Sequence, residues 1–357
     1  MILTASLSSN KPLVILSLIL LSFDAYTQST PTEFAEMSFE DLFALSIDDE
    51  GNSKEKITPW SFVYQFKLAE FEGYLDDDKS LSNDYVLWSP GDIRNDKNFP
   101  IIPTTITQKA HLVTIGYQFS LQWQGHLTLP YISQSTDHIS IVGNYNAFTI
   151  NSSGYGDTVL STSYKLLETQ SSTSWLSMGI SLPTGSIDEK GDTPRAPGDQ
   201  QLPYTMQIGS GTYDFPFQLT YQNIGKHDFN VSLAATIRTG INDRNYRLGN
   251  SYSLASRYRF ELSPNLQTFI GGEAQYTQAI NGQDNALLVP AAFIYPASIT
   301  NPKYFGGKKI SLKTGFNWRL SEQYSLSIQV SKPLYQYLNG PQPKEKWRAN
   351  IQFITSS

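Results

Sequence analysis

Apolar and polar residues alternate with a period of two along most of the chain from Trp60 onward. Near the start of this region, Phe62, Tyr64 and Phe66 alternate with Gln65 and its polar neighbours. Successive side chains of a β-strand point to opposite faces, so this pattern predicts strands with one apolar and one polar face. The alternation restricts the chain to β architectures in which every strand separates two different environments.

About twelve segments carry this pattern, and most are close to the length of roughly 9 to 11 residues that a tilted membrane-spanning strand needs. They lie near residues 60–71, 108–119, 124–133, 156–167, 173–183, 212–222, 228–239, 250–261, 266–277, 308–320, 323–333 and 346–355.

The connections between these segments differ in length in a regular way. Those after the second, fourth, sixth, eighth and tenth segments are short, whereas most of the others are long, including 72–107, 134–155, 184–211 and 278–307. Bacterial outer-membrane barrels have short periplasmic turns, long extracellular loops and an even number of strands. We therefore predict an all-β fold, a transmembrane antiparallel up-and-down β-barrel of about 12 strands.

The composition fits a barrel better than a large soluble enzyme. Hydrophobic residues make up 39% of the chain, charged residues 16% and aromatic residues 13%. A membrane barrel needs apolar residues on one side of each strand only, so a low average hydropathy is compatible with it. The chain has no cysteine, which excludes disulfides and thiolate chemistry, and its net charge of -6 disfavours nucleic acid as a partner.

The region before the alternating pattern divides into two predicted pieces. Lys11 precedes a short apolar run from Leu13 to Leu21, which predicts a signal peptide over residues 1–27, the alternative being a buried or frayed N-terminal helix. Residues 28–58 form a predicted periplasmic extension with an amphipathic helix from Met37 to Ser46, followed by the barrel over 59–357. The helix is either a simple extension or a segment that plugs the barrel or docks a partner.

Charged residues on the polar phase of the strands are predicted to face the lumen, because an arginine on the lipid face at mid-membrane costs about 2 to 4 kcal/mol. The lumen-lining candidates are Lys67, Arg238, Arg257, Arg259, Glu261, Glu273, Lys313, Arg319 and Arg348. These charges either select solutes or pair with one another across a filled interior.

Aromatic residues near the strand ends are candidates for the girdles that flank the apolar belt of a barrel. Examples are Trp60, Trp175, Tyr258, Trp318 and Trp347.

Several stretches between residues 150 and 357 resemble a family of outer-membrane transporters associated with the meta-cleavage pathway of phenol degradation. These stretches are Gly154-Tyr155-Gly156-Asp157, Ser181-Leu182-Pro183-Thr184-Gly185, Gln207-Ile208-Gly209-Ser210-Gly211-Thr212, Tyr246-Arg247-Leu248-Gly249, and Pro333-Leu334-Tyr335-Gln336-Tyr337-Leu338-Asn339-Gly340-Pro341-Gln342. The resemblance implies a membrane barrel that moves hydrophobic or aromatic compounds across the outer membrane. Taken one at a time, the stretches are explained as turns at strand ends.

The sequence offers little for catalysis. His138 and Ser140 have the His-x-Ser spacing of outer-membrane phospholipases without the Asn-Gly that follows it there, and Asp137-His138 is the one candidate for an omptin-like site. The acidic stretches Asp76 to Asp78 and Asp188 to Asp192 lack the glycine and closing glutamate of a calcium loop. We therefore expect no enzyme, no catalytic residues, no metal site and no cofactor.

Three functions remain open at this point. The first is an outer-membrane channel or transporter for small molecules, hydrophobic or aromatic ones among them. The second is a non-conducting structural or surface-interaction barrel, and the third, less favoured, is an outer-membrane hydrolase. The expected partners are outer-membrane lipid, a small-molecule solute and the barrel assembly machinery, and the expected location is the bacterial outer membrane.

Overall fold

A computed structural model describes residues 60–223 and 228–356. The predicted signal peptide, the extension and its helix lie outside these residues. Seventeen strands are assigned within the described ranges, and their bounds are β1 Trp60–Asp77, β2 Lys79–Leu81, β3 Ile101–Gln118, β4 Trp123–Ser140, β5 Ala147–Tyr155, β6 Thr158–Glu168, β7 Ser172–Leu182, β8 Lys190–Thr193, β9 Ala196–Gln201, β10 Asp214–Asn223, β11 Asp228–Arg238, β12 Tyr246–Arg247, β13 Ser251–Ser263, β14 Leu266–Thr277, β15 Asn281–Gly282, β16 Gly307–Arg319 and β17 Tyr324–Ser356.

One antiparallel sheet contains thirteen of the strands in the described ranges and closes on itself. Eleven of them form the ring in the order β1-β3-β4-β6-β7-β10-β11-β13-β14-β16-β17, and β17 returns to pair with β1. Strands β2 and β5 belong to the sheet but lie outside the ring. The predicted antiparallel β-barrel is thus confirmed.

The last strand of the ring crosses the barrel wall twice. Its residues 325–338 pair with β16, whereas residues 338–356 pair with β1. Because both pairings are antiparallel and β16 and β1 run in opposite directions, the chain reverses between the two halves, at Asn339 and Gly340. With β17 counted as two antiparallel crossings, the wall has twelve, the number that the sequence pattern indicated.

The reversal depends on a glycine in the left-handed region of backbone space. Gly340 has φ +69°, and a Cβ added there would lie 2.6 Å from Cδ1 of Tyr304. We expect Gly340→Ala to lower the free energy of unfolding by more than the roughly 1 to 2 kcal/mol that left-handed backbone costs a non-glycine residue. Gly240→Ala is the matched control, because Gly240 has φ +75° with open space around it. Urea unfolding of both variants in lipid vesicles measures the difference, and equal losses would mean that the contact with Tyr304 is immaterial.

Of two predicted loops, one is largely strand and the other is partly strand. The segment 134–155, expected to be an extracellular loop, continues β4 to Ser140, turns within six residues and returns as β5. The segment 72–107 contains the end of β1, the strand β2, a one-turn helix α1 at Asn83–Val86 and the start of β3. Long strands therefore project beyond the membrane at this side of the barrel. The connections at 141–146 and 339–341 lie on this side and are short, so the predicted alternation of short turns with long loops fails at these two places.

The descending crossing after β4 is split into two strands. β5 pairs with the upper part of β4 and β6 with the lower part, and the break falls at Gly156 and Asp157. β7 pairs with β6 but ends at Leu182, opposite Thr158. Above this level the chain leaves the wall as loop 183–213.

The outer surface carries a belt of exposed apolar side chains. Large examples on β1, β4 and β16 are Trp60, Phe62, Leu129, Phe316 and Trp318, each between 38% and 48% exposed. Trp175, predicted to lie in a girdle, is instead 3% exposed and points into the barrel. Leu176 and Met178 point outward on β7. Trp175 alternates with them and therefore lies on the polar, inward face of the strand.

Loops fill the end of the barrel opposite the short turns, which is the extracellular end by the convention of bacterial barrels. Loops 183–213, 239–250 and 278–306, here called the cap, contribute most of a core whose buried members are Ile101, Tyr204, Tyr246, Leu248, Ile280, Leu287, Ala297, Ile299 and Phe305. Among the residues described, no helix is long and apolar enough to cross a membrane.

Candidate functional site

The inner wall of the barrel is predominantly polar and carries most of the predicted lumen charges. Lys67, Glu273 and Lys313 lie on its inward face and are at most 7% exposed. Lys313 Nζ lies 3.0 Å from Glu273 Oε2 on the neighbouring strand. Because an ion pair in a poorly hydrated interior stabilises only when both charges are present, these two residues act as a unit.

Two predicted arginines on β13 take different partners. Arg259 is 5% exposed and pairs with Asp228 at 2.7 Å. Arg257 lies over the ring of Phe269, 4.5 Å from its centroid, and donates to Gln329 Oε1 at 3.3 Å. Both side chains are thus held in place by the wall opposite or beside them.

The remaining candidates are distributed over the two ends of the barrel. Arg348 pairs with Glu345 at 2.8 Å, and Glu345 also accepts from Lys309 at 2.5 Å. Glu261 and Arg319 are exposed near the ends of β13 and β16 that lead into the short turns. They do not join the buried ion pairs.

Arg238 connects the loops to the barrel wall. Its guanidinium pairs with Asp214, and both side chains are at most 3% exposed. Its Nε donates to the carbonyl oxygen of Gly249 at 3.0 Å, while Asn250 Oδ1 accepts from its backbone N–H at 2.8 Å. Arg238 therefore joins the top of β11 to β10 and to the loop that follows, rather than presenting a charge to a passage.

One part of the inner wall is apolar. Six inward-facing side chains of β1, β3 and β4 form this apolar patch, namely Ala69, Phe71, Ile106, Ala110, Leu112 and Ile132. Ile208 of loop 183–213 packs against them and is itself 1% exposed. The loop therefore folds into the barrel and contacts the apolar patch through Ile208.

Asp157, at the break between β5 and β6, holds this loop in place. Its carboxylate accepts from the backbone N–H of Gly185 at 2.8 Å, and from the backbone N–H and hydroxyl of Ser210 at 2.8 and 2.6 Å. We call this set the Asp157 latch. Gly185 and Gly209 meet so closely that a Cβ on either would overlap the other's backbone.

The latch brings together three of the stretches that carry the family resemblance. Gly154 to Asp157, Ser181 to Gly185 and Gln207 to Thr212 are separate along the chain but adjacent in space. If each stretch were only an independent turn, no contact between the three would be expected. Thr184 adds to it, because its hydroxyl donates to the Gly156 carbonyl at 3.0 Å.

The cap extends the same network outward. Asn242 donates to the carbonyl of Ser210 at 3.0 Å and accepts from the backbone N–H of Tyr246 at 3.1 Å. The hydroxyl of Tyr204 accepts from the backbone N–H of Asp284 at 2.9 Å. Burial raises the pKa of Tyr204 and of Tyr246, so both phenols stay protonated at any pH the cell surface meets.

The candidate hydrolytic residues do not form a catalytic pair. His138 Nδ1 lies 3.1 Å from the carbonyl of Thr136, and its ring stacks on Phe148. The hydroxyl of Ser140 donates to the carbonyl of Tyr145 at 2.8 Å and thereby supports the turn between β4 and β5. A base must reach the nucleophile that it activates, and these hydrogen bonds lead elsewhere.

The acidic stretches are also engaged. Asp76 pairs with Lys97, Asp188 with Arg244 at 2.5 Å, and Asp192 accepts from the hydroxyl of Tyr145 at 2.7 Å. In the ranges that the structure covers, no group of three or more His, Asp or Glu side chains is placed to hold a metal ion.

The chain matches no known family model and no curated protein significantly. Its structure is similar to an outer membrane channel from Pseudomonas putida F1, with a TM-score of 0.55 and 13% identity over 87% of this chain and 100% of that one. It is less similar to the translocator domain of the autotransporter NalP from Neisseria meningitidis, with a TM-score of 0.46 and 10% identity over 93% of this chain and 100% of that one. The TodX monoaromatic hydrocarbon channel also has a TM-score of 0.46, with 9% identity over 84% of this chain and 90% of that one.

The first similarity shows a shared fold, that of a bacterial outer-membrane barrel. Together with the closed sheet and its exposed apolar belt, it places the protein in the bacterial outer membrane.

Proposed function

We propose that the protein is an outer-membrane channel for small molecules and that hydrophobic or aromatic compounds are its solutes. The apolar patch under Ile208 is the observation that carries this proposal. An ion or a sugar would gain no binding energy from contact with these six apolar side chains. A hydrophobic solute gains roughly 25 cal/mol for each Å² of apolar surface that it buries against such a patch.

The position of Ile208 suggests how entry is controlled. Its side chain occupies the surface that a solute would use, and the loop that carries it is attached to the wall by the Asp157 latch. In the closed arrangement the solute site is filled, and when loop 183–213 withdraws the site is exposed to the cell surface. The similarity to the Pseudomonas putida channel supports a channel as the general class, whereas the association with phenol degradation stays a prediction.

A second candidate is a barrel that does not conduct. The buried ion pairs Glu273–Lys313 and Arg259–Asp228 favour it, because they join charges on neighbouring strands instead of leaving them to passing ions. Single-channel recordings in planar bilayers distinguish ion passage from its absence. Uptake of a naphthalene-type fluorescent solute into proteoliposomes tests the hydrophobic route separately.

We expect Ile208→Ala to raise the uptake of the aromatic solute severalfold while leaving the passage of a sugar of similar size nearly unchanged. The truncation removes the apolar cover but leaves the wall intact, so the gain is confined to solutes that bind the apolar patch. Ile187→Ala is the matched control, because Ile187 lies in the same loop but outside the cluster that contains the apolar patch.

Equal gains for the aromatic solute and the sugar would indicate an unselective pore and refute the hydrophobic specificity. A folded barrel that passes neither, with or without the substitution, would favour the non-conducting alternative. A heat-modifiability gel confirms in each case that the barrel has formed.

A further inference from the structure

The outer wall of the barrel has a polar face immediately above an aromatic row. Phe66, His111, Tyr131 and Tyr155 stand side by side on β1, β3, β4 and β5, pointing outward. Tyr131 and Tyr155 are 40% and 74% exposed, with ring centroids 5.4 Å apart. Exposed tyrosines in such a row are typical of the boundary between lipid and water.

Directly above this row the outward side chains become polar. Lys109, Ser133 and Ser153 are paired across the three strands, followed by Thr107, Ser135 and Asn151, and then by Thr105, Asp137 and Thr149. We call these nine residues the polar face. Its lowest members lie two residues above the aromatic row, so they stand about 7 Å or less above it.

The polar face contains a pocket of about 430 Å³. Lys109, Ser133, Ser135, Asn151 and Ser153 line it from the wall, and Glu189 of loop 183–213 closes it at one side. β5 makes this possible because it pairs with β4 along one edge and has no ladder partner in the described ranges along its other edge. The loop reaches the outer surface at this edge.

The chemistry of the pocket suits a phosphorylated sugar. Hydroxyl and amide groups donate to and accept from sugar hydroxyls, and an ammonium group is a good partner for phosphate. Lys109 is exposed, and no ion pair in the described part of the chain engages it. The two tyrosines below present rings that a sugar or the glycolipid beneath it can contact.

We propose that the polar face binds the phosphorylated inner-core saccharide of lipopolysaccharide from the surrounding outer leaflet. Position points to this occupant. Of the charged groups there, Lys109 can donate to a phosphate, whereas the carboxylates of Asp137 and Glu189 can only accept from sugar hydroxyls. The face lies on the outside of the barrel at its extracellular end, just above the lipid boundary, where the headgroups of that leaflet lie. Lys109 takes the phosphate, and Ser133, Ser135 and Asn151 take the sugar hydroxyls.

Binding of purified inner-core lipopolysaccharide to the detergent-solubilised barrel, measured by native mass spectrometry and by fluorescence titration, tests the proposal. We expect Lys109→Glu to weaken binding at least fivefold and Asn151→Leu to weaken it about twofold to fivefold. Lys79→Glu is the control, since Lys79 on β2 is also exposed and lies outside the pocket lining. Dephosphorylated lipopolysaccharide should bind the native protein more weakly, with no further loss in Lys109→Glu.

Several outcomes would overturn the proposal. If dephosphorylation has no effect, Lys109 does not bind phosphate, and if Lys79→Glu weakens binding as much as Lys109→Glu, net charge alone is responsible. If phosphatidylglycerol binds as tightly, the face recognises any anionic lipid. If lipid A without its core saccharide binds as tightly as the whole glycolipid, the polar face does not recognise the inner-core saccharide.

Discussion

Replacing Asp157 by asparagine should increase the uptake of hydrophobic solutes by at least tenfold while the barrel still assembles. The carboxylate accepts three hydrogen bonds from two residues of loop 183–213, namely Gly185 and Ser210. Asparagine keeps one acceptor oxygen and places an NH2 group against donors that the carboxylate satisfied. The variant therefore loses both the charge and at least one of the three bonds.

The size of the effect follows from the energy of these bonds. A hydrogen bond to a charged group contributes about 1.5 to 3 kcal/mol. A loss of about 2 to 3 kcal/mol from the closed arrangement would raise the population of the released loop on the order of 30- to 150-fold. Uptake of the naphthalene-type solute into proteoliposomes measures the consequence, because the released loop no longer holds Ile208 over the apolar patch.

Asp192→Asn is the control for the Asp157 substitution. Asp192 lies in the same loop region and accepts a hydrogen bond from Tyr145 at 2.7 Å, but it is exposed and does not contact the latch. Its replacement should leave uptake unchanged. If Asp157→Asn lowers the free energy of unfolding while uptake stays at the native rate, the latch only stabilises the barrel and the loop does not control entry.

The spanning part of the fold could be predicted from the sequence because the membrane imposes its own pattern. Every crossing must hide apolar side chains on one face, so alternation is visible wherever lipid is on the outside. The same rule ceases to apply above the membrane. There β4 continues through Asp137, and both faces of the strand carry polar residues, so the pattern resembled a loop.

The candidate site was harder to predict from the sequence because its residues are far apart in the chain. Asp157, Gly185 and Ser210 each look like an ordinary turn residue, and their meeting depends on how loop 183–213 folds into the barrel. The apolar patch was hidden for a different reason. Ile106 lies in a segment interpreted as a loop, and Ala69 and Leu112 share the phase of polar neighbours such as Lys67 and Thr114.

The phase of a strand predicts which of its charges face the lumen, but it does not identify the partner of each charge. Lys313 and Glu273 were both predicted to face inward, and the structure pairs them. Glu345 lies between two predicted strands, so the alternation assigns it no phase. To predict an ion pair between neighbouring strands, the register of the two strands must be known. A single sequence with several possible turns does not supply that register.

Replacing Arg238 by methionine should lower the free energy of unfolding by about 3 to 5 kcal/mol, because Asp214 is then left as a buried charge without its partner. Both side chains of the pair are at most 3% exposed. The hydroxyl of Thr212 still donates to Asp214 at 2.7 Å, but a neutral donor does not replace the guanidinium. Equilibrium unfolding in urea, with the protein in lipid vesicles, measures the loss.

The double variant Arg238→Met with Asp214→Leu distinguishes two contributions to the free energy of unfolding. One is the cost of a buried charge without a partner, and the other is the stabilisation by the ion pair itself. Replacing a buried pair by apolar side chains of similar size is often neutral, so most of the stability should return. Lys346→Met serves as the exposed comparison, since Lys346 is 51% exposed beside Glu70 and Glu72 and such surface pairs contribute at most about 1 kcal/mol. If the single and double variants were equally unstable, the hydrogen bond from Arg238 to Gly249 would account for the stabilisation, and the charge pair would contribute little. Arg238 would then act mainly as a backbone tie between β11 and the cap.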